Sequence, residues 1–301
     1  MIHNKRKRQK KAWGQVALHI FFIILSLCYI LPLCLLISIS FDGNGNASGF
    51  SLFPREFTTA AYEMLFANSK RIIDAYKVNI FYCVVGVGSS LVVMSLFAYA
   101  LSRRHFKLRG ILTFILFFTT LFSGGMVPSY VINTKYLHLG DTIWIYILPG
   151  MVSAWNVIVI RTYLQNLPID LFESARLDGA TEWKICFRIA IPLSTPVLAS
   201  VGFLKFIDAW NNWNTSQIYI KNPELVSLQY LLKLIMDDIE MLEQMMQSGG
   251  MAVTSEMFQE LANLETMRFA MAVVGVGPAL LIFPFFQKYF AKGMTIGAVK
   301  G

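Results

Sequence analysis

Six long runs of apolar residues, each almost free of charge, recur along the 301-residue chain. They cover approximately residues 16–39, 78–101, 111–132, 143–163, 189–209 and 269–290. A helix needs roughly 20 apolar residues to cross a hydrocarbon core of about 30 Å. Helices packed in a soluble core would carry a polar face, which these runs lack. The pattern therefore predicts an all-α, polytopic membrane protein with six transmembrane helices.

Composition and charge add an orientation to this prediction. Hydrophobic residues make up 55% of the chain and charged residues 15%, whereas soluble domains carry roughly 25% charged residues. The net charge of +8 comes largely from four basic clusters, at residues 5–11, 103–109, 176–188 and 288–300. In a bundle of six helices these clusters all fall on one side, which argues against a nucleic-acid partner. The positive-inside rule then places both termini in the cytoplasm (N-in, C-in), with residues 1–14 as a basic cytoplasmic tail.

The segments between the apolar runs complete the predicted organisation. The basic start also resembles a signal peptide, but its apolar run is longer than the usual 7–15 residues, so we expect an uncleaved first helix. Residues 164–188 form a cytoplasmic loop, and residues 211–268 form a long extracytoplasmic loop that contains a helix over about 225–246. Within the third run, Ser123–Pro128 should break or kink the helix. The whole chain, 1–301, is expected to be one transmembrane domain.

The cytoplasmic loop begins with the pattern of a short amphipathic helix. Asp170 has the side chain of a good N-cap, with Glu173 three residues later as its reciprocal partner. Leu171, Phe172 and Ala175 should then share one face of the helix. From this pattern alone, a docking helix and an ordinary helix at the membrane interface are both open.

The second half of the loop carries the signals of a helix end and a new start. Gly179 suits the left-handed residue that follows a helix. Thr181 can cap a second helix, whose positive end favours Glu182. That helix should run toward the membrane until Pro192 and Pro196 distort it. The loop is thus predicted to be a short helix, a glycine hinge and a helix that re-enters lipid.

These residues resemble a known family signature. Glu173-Ser-Ala175, Gly179 three residues later, and Ile189-Ala-Ile-Pro192 after nine more resemble the EAA motif, E-A-A-x3-G-x9-I-x-L-P, of binding-protein-dependent ABC permeases. Ser174 replaces the second alanine and Ile191 replaces the leucine, and both changes preserve size and character. The closing segment, 283–301, and much of the rest resemble carbohydrate-type permeases, above all the complex-carbohydrate, lipoprotein-dependent branch of Gram-positive bacteria.

The resemblance implies a type I importer permease in the bacterial cytoplasmic membrane, which moves sugars or oligosaccharides inward by alternating access. The subunit itself would be no enzyme. ATP and magnesium would be bound by two cytoplasmic ABC ATPases, because the chain has no phosphate-binding loop of its own. The other implied partners are a second permease subunit, for which the resemblance favours a paralogue, and an extracellular lipid-anchored solute-binding protein. The loop would be a coupling helix that docks on an ATPase through Glu173, Ser174, Ala175, Asp178 and Gly179.

A polar and aromatic cluster ends the fifth run. Aromatic faces and amides are the groups that bind sugars, so these residues are candidates for the substrate pathway: Trp210, Asn211, Trp213 and Asn214. An aromatic belt at the membrane interface is the alternative interpretation. Nearby, Lys205 and Asp208 are spaced to lie on one helical face, which favours a structural pairing over a functional role.

Other functions remain as alternatives with less support. Peptides or another solute could replace the sugar, and a channel would share the topology but leave the EAA-like loop without a role. A membrane-embedded transferase would need clustered His, Asp or Glu, which the sequence lacks. The cysteines and histidines are scattered, so we expect neither a metal site nor a disulfide framework.

Overall fold

The computed structural model describes residues 2–43, 51–67, 69–248 and 255–298. These residues form helices and loops, with a single antiparallel bridge between Asp42 and Phe57 and no strand among them. The predicted all-α class is confirmed. Contacts divide the chain into two compact units, the first Met1–Asn68 with Met236–Val276 and the second Ser69–Ile235 with Gly277–Gly301.

The helices are numbered here in chain order. The α-helices are α1 Ile2–Ile39, α2 Ala60–Phe66, α3 Ser69–Phe81, α4 Val87–Ser102, α5 Arg109–Leu121, α6 Met126–Val131, α7 Ala154–Gln165, α8 Ile169–Leu177, α9 Glu182–Ile185, α10 Ile191–Leu193, α11 Thr195–Trp210, α12 Asn214–Tyr219, α13 Leu228–Ser248 and α14 Ser255–Ala298. Single π-helical turns occupy Tyr82–Gly86, Ile132–Tyr136 and Cys186–Ala190, and 3-10 turns occupy Ile143–Tyr146 and Pro223–Leu225. Helix α13 confirms the helix predicted within the long loop.

Three helical stretches are long and apolar enough to cross a membrane unbroken, namely Gly14–Ile39, Ser69–Ser102 and Thr266–Lys288. Two further pairs of helices reach this length only as bent spans, so the described residues hold up to five candidates. The count of six and the orientation of the bundle stay predictions.

The first bent pair joins Arg109–Leu121 to Met126–Tyr136 at 117°. The chain leaves α5 through Phe122 in an extended conformation, and Gly125 has φ +87°. Such a positive φ is readily adopted only by glycine. The break predicted over Ser123–Pro128 is confirmed.

The second bent pair joins Glu182–Leu193 to Thr195–Trp210 at 75°. Pro192 lies in α10 and Pro196 in the first turn of α11, on either side of the bend at Ser194. Pro196 lacks the N–H that would bond the Pro192 carbonyl across the bend, and the ring of each proline disfavours a continuous helix. The distortion predicted from the two prolines is confirmed.

The apolar run 143–163 does not form one continuous helix. It contains the 3-10 turn Ile143–Tyr146, an irregular segment with Pro149 and Gly150, and then α7. Ser153 caps α7 by accepting a hydrogen bond from the Asn156 N–H. The 12 residues of α7 rise about 18 Å, well short of a hydrocarbon core. The Pro-Gly pair was a visible signal for this interruption.

Within the first unit, a small aromatic cluster stabilises the segment after α1. Phe41 stacks on Phe57 and Tyr62 with ring centroids 5.3 and 4.8 Å apart. The Ser40 and Tyr62 hydroxyls share a hydrogen bond of 2.8 Å, and Thr266 donates to the Asp42 carbonyl at 3.1 Å.

The core of the second unit forms where α4 packs on α7. Met94 and Ala98 of α4 are buried with Val157 and Ile160 of α7. The same cluster extends out of the long helices into the loop that follows α7, where it includes Phe172 and other residues up to Ala190. The loop with the EAA-like residues is therefore attached directly to the hydrophobic core.

Candidate functional site

Helix α8 begins differently from the prediction. Its N-cap is Pro168, with φ −55° and no side-chain capping bond, and Asp170 lies inside the first turn. The predicted N-cap at Asp170 is therefore wrong. Proline has the φ value required at a helix start and needs no hydrogen bond for an N–H, so the helix begins immediately after it. The Asp170 carboxylate still lies at the positive end of the helix dipole.

Helix α8 ends in a complete Schellman motif. The Ala180 N–H donates to the Ala175 carbonyl at 2.9 Å, and the Gly179 N–H donates to the Arg176 carbonyl at 3.0 Å. Gly179 has φ +74°, which confirms its predicted left-handed conformation. A Cβ atom added at Gly179 would meet nothing within 4 Å. The backbone thus favours glycine here, while the space beyond it is open.

Two residues later the chain starts α9 as predicted. The Thr181 hydroxyl accepts a hydrogen bond from the Lys184 N–H at 3.4 Å, and Glu182 lies in the first turn. The two helices are thereby joined by a short linker, 178–181, with a defined geometry at both ends. The predicted arrangement of helix, glycine hinge and second helix is confirmed.

Phe172 anchors α8 to the body of the second unit. Its ring is 2% exposed and belongs to the hydrophobic core. The Arg103 guanidinium, immediately after α4, lies 3.9 Å from the centroid of this ring and 4.6 Å from that of Tyr99. A cation over aromatic faces is stabilised by roughly 0.5–2 kcal/mol. Burial lowers the pKa of Arg103, an effect that Tyr99 and Glu182 oppose, and the guanidinium stays charged.

Glu182 links three helices through its two carboxylate oxygens. Tyr99 of α4 donates its hydroxyl to Oε2 at 2.7 Å, and Arg176 of α8 donates Nε to Oε1 at 2.9 Å. The Arg176 and Glu182 side chains are 35% and 52% exposed. An ion pair as exposed as this one contributes little on its own. Together with the Tyr99 hydrogen bond, it connects α8 and α9 to the end of α4.

The predicted docking residues divide between the two faces of α8. Ala175 is half-buried against the core, while four members of the set are exposed: Glu173, Ser174, Asp178 and Gly179. Leu171, which was predicted to share the buried face, is 44% exposed, and Leu177 is 89% exposed. Helix α8 thus presents a mixed apolar and acidic surface that nothing in the second unit covers among the described residues.

The predicted substrate-pathway residues lie in different environments. Trp210 is 2% exposed, and its ring packs near Phe206 with the centroids 6.0 Å apart. Trp213 is 41% exposed, with the Lys233 ammonium 4.6 Å from its ring centroid. Asn211 and Asn214 are exposed. Their role in a pathway stays a prediction, which Trp213 and the two amides fit better than Trp210 does.

Two buried hydrogen-bond networks near these residues were missed from the sequence. Asn79 is fully buried, donates Nδ2 to the Trp210 carbonyl at 3.1 Å and accepts the Leu228 N–H at 3.3 Å. An asparagine within an apolar run was the available signal, but nothing in the sequence names its partners.

The second network is centred on Ser216, which is also fully buried. Its hydroxyl lies 2.6 Å from that of Tyr146 and donates to the Ser227 hydroxyl at 2.7 Å. Tyr146 also donates to the Leu225 carbonyl at 2.8 Å. The two networks together fix the segment from the end of α11 to the start of α13.

Lys205 has a different partner from the one predicted. Its ammonium donates to the Gly150 carbonyl at 3.0 Å, and within the described residues it forms no salt bridge with Asp208. The carbonyl is available because the segment between Tyr146 and Ala154 is irregular. The predicted pairing of Lys205 with Asp208 is therefore wrong, and a backbone oxygen is the acceptor instead.

Comparison with known proteins shows the family to which the chain belongs. The family described as "Binding-protein-dependent transport system inner membrane component" matches residues 8–296. The polygalacturonan/rhamnogalacturonan transport system permease protein YtcP of Bacillus subtilis (strain 168) is 36% identical over 93% of this chain and 96% of its own. The arabinooligosaccharides transport system permease protein AraQ of the same organism is 31% identical over 95% and 96%.

A solved structure shares the architecture. A chain from a bacterial ABC transporter involved in the import of the acidic polysaccharide alginate is 29% identical and superimposes with a TM-score of 0.77. The match covers 94% of this chain and 98% of the other.

Proposed function

Because the chain belongs to the family of binding-protein-dependent transport system inner membrane components, we propose that it moves sugars or oligosaccharides inward as one permease subunit of an ATP-driven importer. As a member of this family it is a transport subunit of the bacterial inner membrane. The carbohydrate class is supported by the relatives, which are named for polygalacturonan and arabinooligosaccharide transport.

The geometry of α8 is the main support for the proposed coupling mechanism. Phe172 fixes its inner face to the core, while the outer face and the open space at Gly179 remain uncommitted. A helix held in this way transmits the movement of a docked protein to the helices behind it. Glu173, Ser174, Asp178 and Gly179 would contact a cytoplasmic ATPase, with Ala175 setting their distance from the core. Such a mechanism requires only that the ATPase bind two conformations of the permease with different affinities.

The orientation is supported by two loops that were predicted to share one side. The basic loop 103–109 and the loop that contains α8 line a common cavity, through Arg104 and Arg109 on one side and Ile169 and Glu173 on the other. The positive-inside rule places such a basic cluster in the cytoplasm. ATP and magnesium would be held by two ATPase subunits there.

The remaining partners belong to the opposite side and to the membrane. A second, paralogous permease would complete the pathway, and a lipid-anchored binding protein would deliver the sugar from outside. The exposed side chains of Trp213, Asn211 and Asn214 are the groups with which this chain would contact a carbohydrate.

Substitution of Gly179 by aspartate tests the docking role. An aspartate adopts a left-handed conformation better than most residues, but its carboxylate would occupy the open space at the contact. We expect normal membrane insertion, with ATPase co-purification and ATP-driven oligosaccharide uptake reduced about tenfold or more. Uptake at the wild-type rate would contradict the docking role.

Gly110→Asp is the matched control. Gly110 is an exposed glycine whose Cβ would also meet nothing within 4 Å, but it lies in α5 with an ordinary φ. We expect this variant to insert, bind the ATPase and transport as the wild type does.

A further inference from the structure

Two cavities lie where α4 and α5 meet the loop that contains α8. They measure about 520 and 410 Å³. Arg103, His105 and Arg176 line both of them, so the two cavities adjoin. The anchoring contacts of α8 use only part of this space.

The larger cavity is mainly apolar. Leu96 and Ala100 of α4 line it together with Phe106, Trp183 and Cys186. Trp183 is 67% exposed, and its ring stacks on that of Phe187, another exposed residue, with the centroids 5.9 Å apart. The cavity runs beside the last turns of α4, which ends a candidate membrane span. It has room for an apolar acyl chain.

The smaller cavity is strongly cationic. Four arginines and a histidine line it against one carboxylate, Glu173. Within the described residues, neither Arg104 nor Arg109 forms a salt bridge. Arg161 lies one turn before Gln165, which also lines the cavity, and its buried Nε has no hydrogen-bond partner within the described part of the chain. Arg176 already pairs with Glu182, so Arg104 and Arg109 are the guanidinium groups suited to an anion that the described residues do not supply.

An apolar cavity beside a cationic one fits an amphiphile. The cationic cavity lies at the last residue of α4 and the first of α5, Ser102 and Arg109. These are the ends of two candidate membrane spans, and in the proposed topology such ends lie among lipid headgroups. Basic pockets between helices on the cytoplasmic side are suited to anionic headgroups. We propose that an anionic phospholipid binds here, with its phosphate among the arginines and an acyl chain along Leu96, Ala100 and Trp183.

The site would connect lipid composition to the coupling helix. Phe172 and Glu173 of α8 line the cationic cavity. A bound headgroup would therefore stabilise the packing of α8 against the rest of the second unit. That consequence rests on the proposed function. The lipid site itself is tested separately.

Quenching of Trp183 by brominated lipids provides the test. The whole transporter is reconstituted into phosphatidylcholine vesicles with rising fractions of brominated phosphatidylglycerol or, in parallel, brominated phosphatidylcholine. A Trp183→Phe version of each protein is subtracted to isolate the Trp183 signal. We expect half-maximal quenching at a clearly lower fraction of phosphatidylglycerol, and Arg104→Gln/Arg109→Gln to remove this preference, since each arginine contributes about fivefold.

Lys107→Gln/Lys184→Gln is the matched control, because these lysines lie in the same two loops but line neither cavity. This variant should keep the preference. Equal quenching by the two lipids in the wild type, or a preference that survives in the arginine variant, would overturn the proposal. Equal quenching by the two lipids, together with binding of inorganic phosphate that Arg104→Gln/Arg109→Gln removes, would overturn the lipid assignment in favour of free phosphate. Since both leaflets carry the lipid, the result depends on neither orientation nor transport.

Discussion

The second unit is stabilised differently at the two ends of its long helix, Ser69–Ser102. At the end where the chain leaves this helix, α8 rests on one buried ring, and the polar contacts around it are partly exposed. Toward the other end, around Asn79, buried polar groups join distant segments. Asn79 and Tyr99 lie roughly 30 Å apart along the helix.

This difference distinguishes a fixed end from the end that would transmit movement in the proposed mechanism. Buried hydrogen bonds lock the segment after α11, because breaking them would leave polar groups without water. The contacts of α8 leave its outer face free, and its ion pair can adjust in water. A helix that transmits movement from another protein needs one face packed firmly on its own core and another face free to contact that protein.

The largest effect on the α8 end is expected from Phe172→Ala. Loss of a buried phenyl ring costs about 3–5 kcal/mol, and the Arg103 guanidinium loses the ring beneath it. Thermal unfolding of the purified protein should show this loss. Leu177→Ala, on the exposed face of the same helix, should change stability by less than about 0.5 kcal/mol but weaken ATPase association. If the two variants behaved alike, the division of α8 into an anchor and a docking face would be wrong.

Asn79→Leu tests the opposite end. The change keeps the size of the side chain but removes the two buried hydrogen bonds that Asn79 makes to the Trp210 carbonyl and the Leu228 N–H. We expect a loss of about 2–3 kcal/mol in unfolding free energy, with ATPase association unchanged. Asn166→Leu, at an exposed asparagine, serves as the control and should be nearly neutral. A neutral Asn79→Leu would show that the buried network does not fix this end.

The smallest effect is expected from Glu182→Gln. The amide oxygen still accepts from Tyr99, and only the charge facing Arg176 is lost, so the cost should stay below about 1 kcal/mol. The difference from the wild type should shrink as salt is added, because exposed pairs are screened. The cost of Asn79→Leu should not depend on salt. Unfolding measured at several NaCl concentrations compares the two, and equal salt dependence would remove the distinction between the ends.

Local backbone requirements were readable from the sequence. Gly179 adopts the left-handed conformation that its position after a helix predicts, and Gly125 breaks the third apolar run where two glycines precede Pro128. Asp170 was misassigned because two local signals competed, and the proline at 168 set the helix start. In each case the residues that decide the conformation lie within a few positions of each other, so the local sequence is sufficient to predict it.

Long-range contacts were not readable in the same way. Tyr99 meets Glu182 from 83 residues away, and Asn79 meets Trp210 from 131 residues away. Each residue type indicates that a partner must exist, but which partner it is depends on where helix ends meet. The candidate lipid site has the same origin, because it joins residues from two loops that only the fold brings together.

The central claim is that α8 faces the cytoplasm and is covered by an ATPase. The most direct measurement is labelling of Ser174→Cys, in a chain without its four native cysteines, by a membrane-impermeant maleimide. The account predicts labelling in inside-out vesicles alone and protection when the ATPase is bound, whereas Lys135→Cys should be labelled only from outside. Labelling of Ser174→Cys from outside, or labelling that the bound ATPase leaves unchanged, would contradict it.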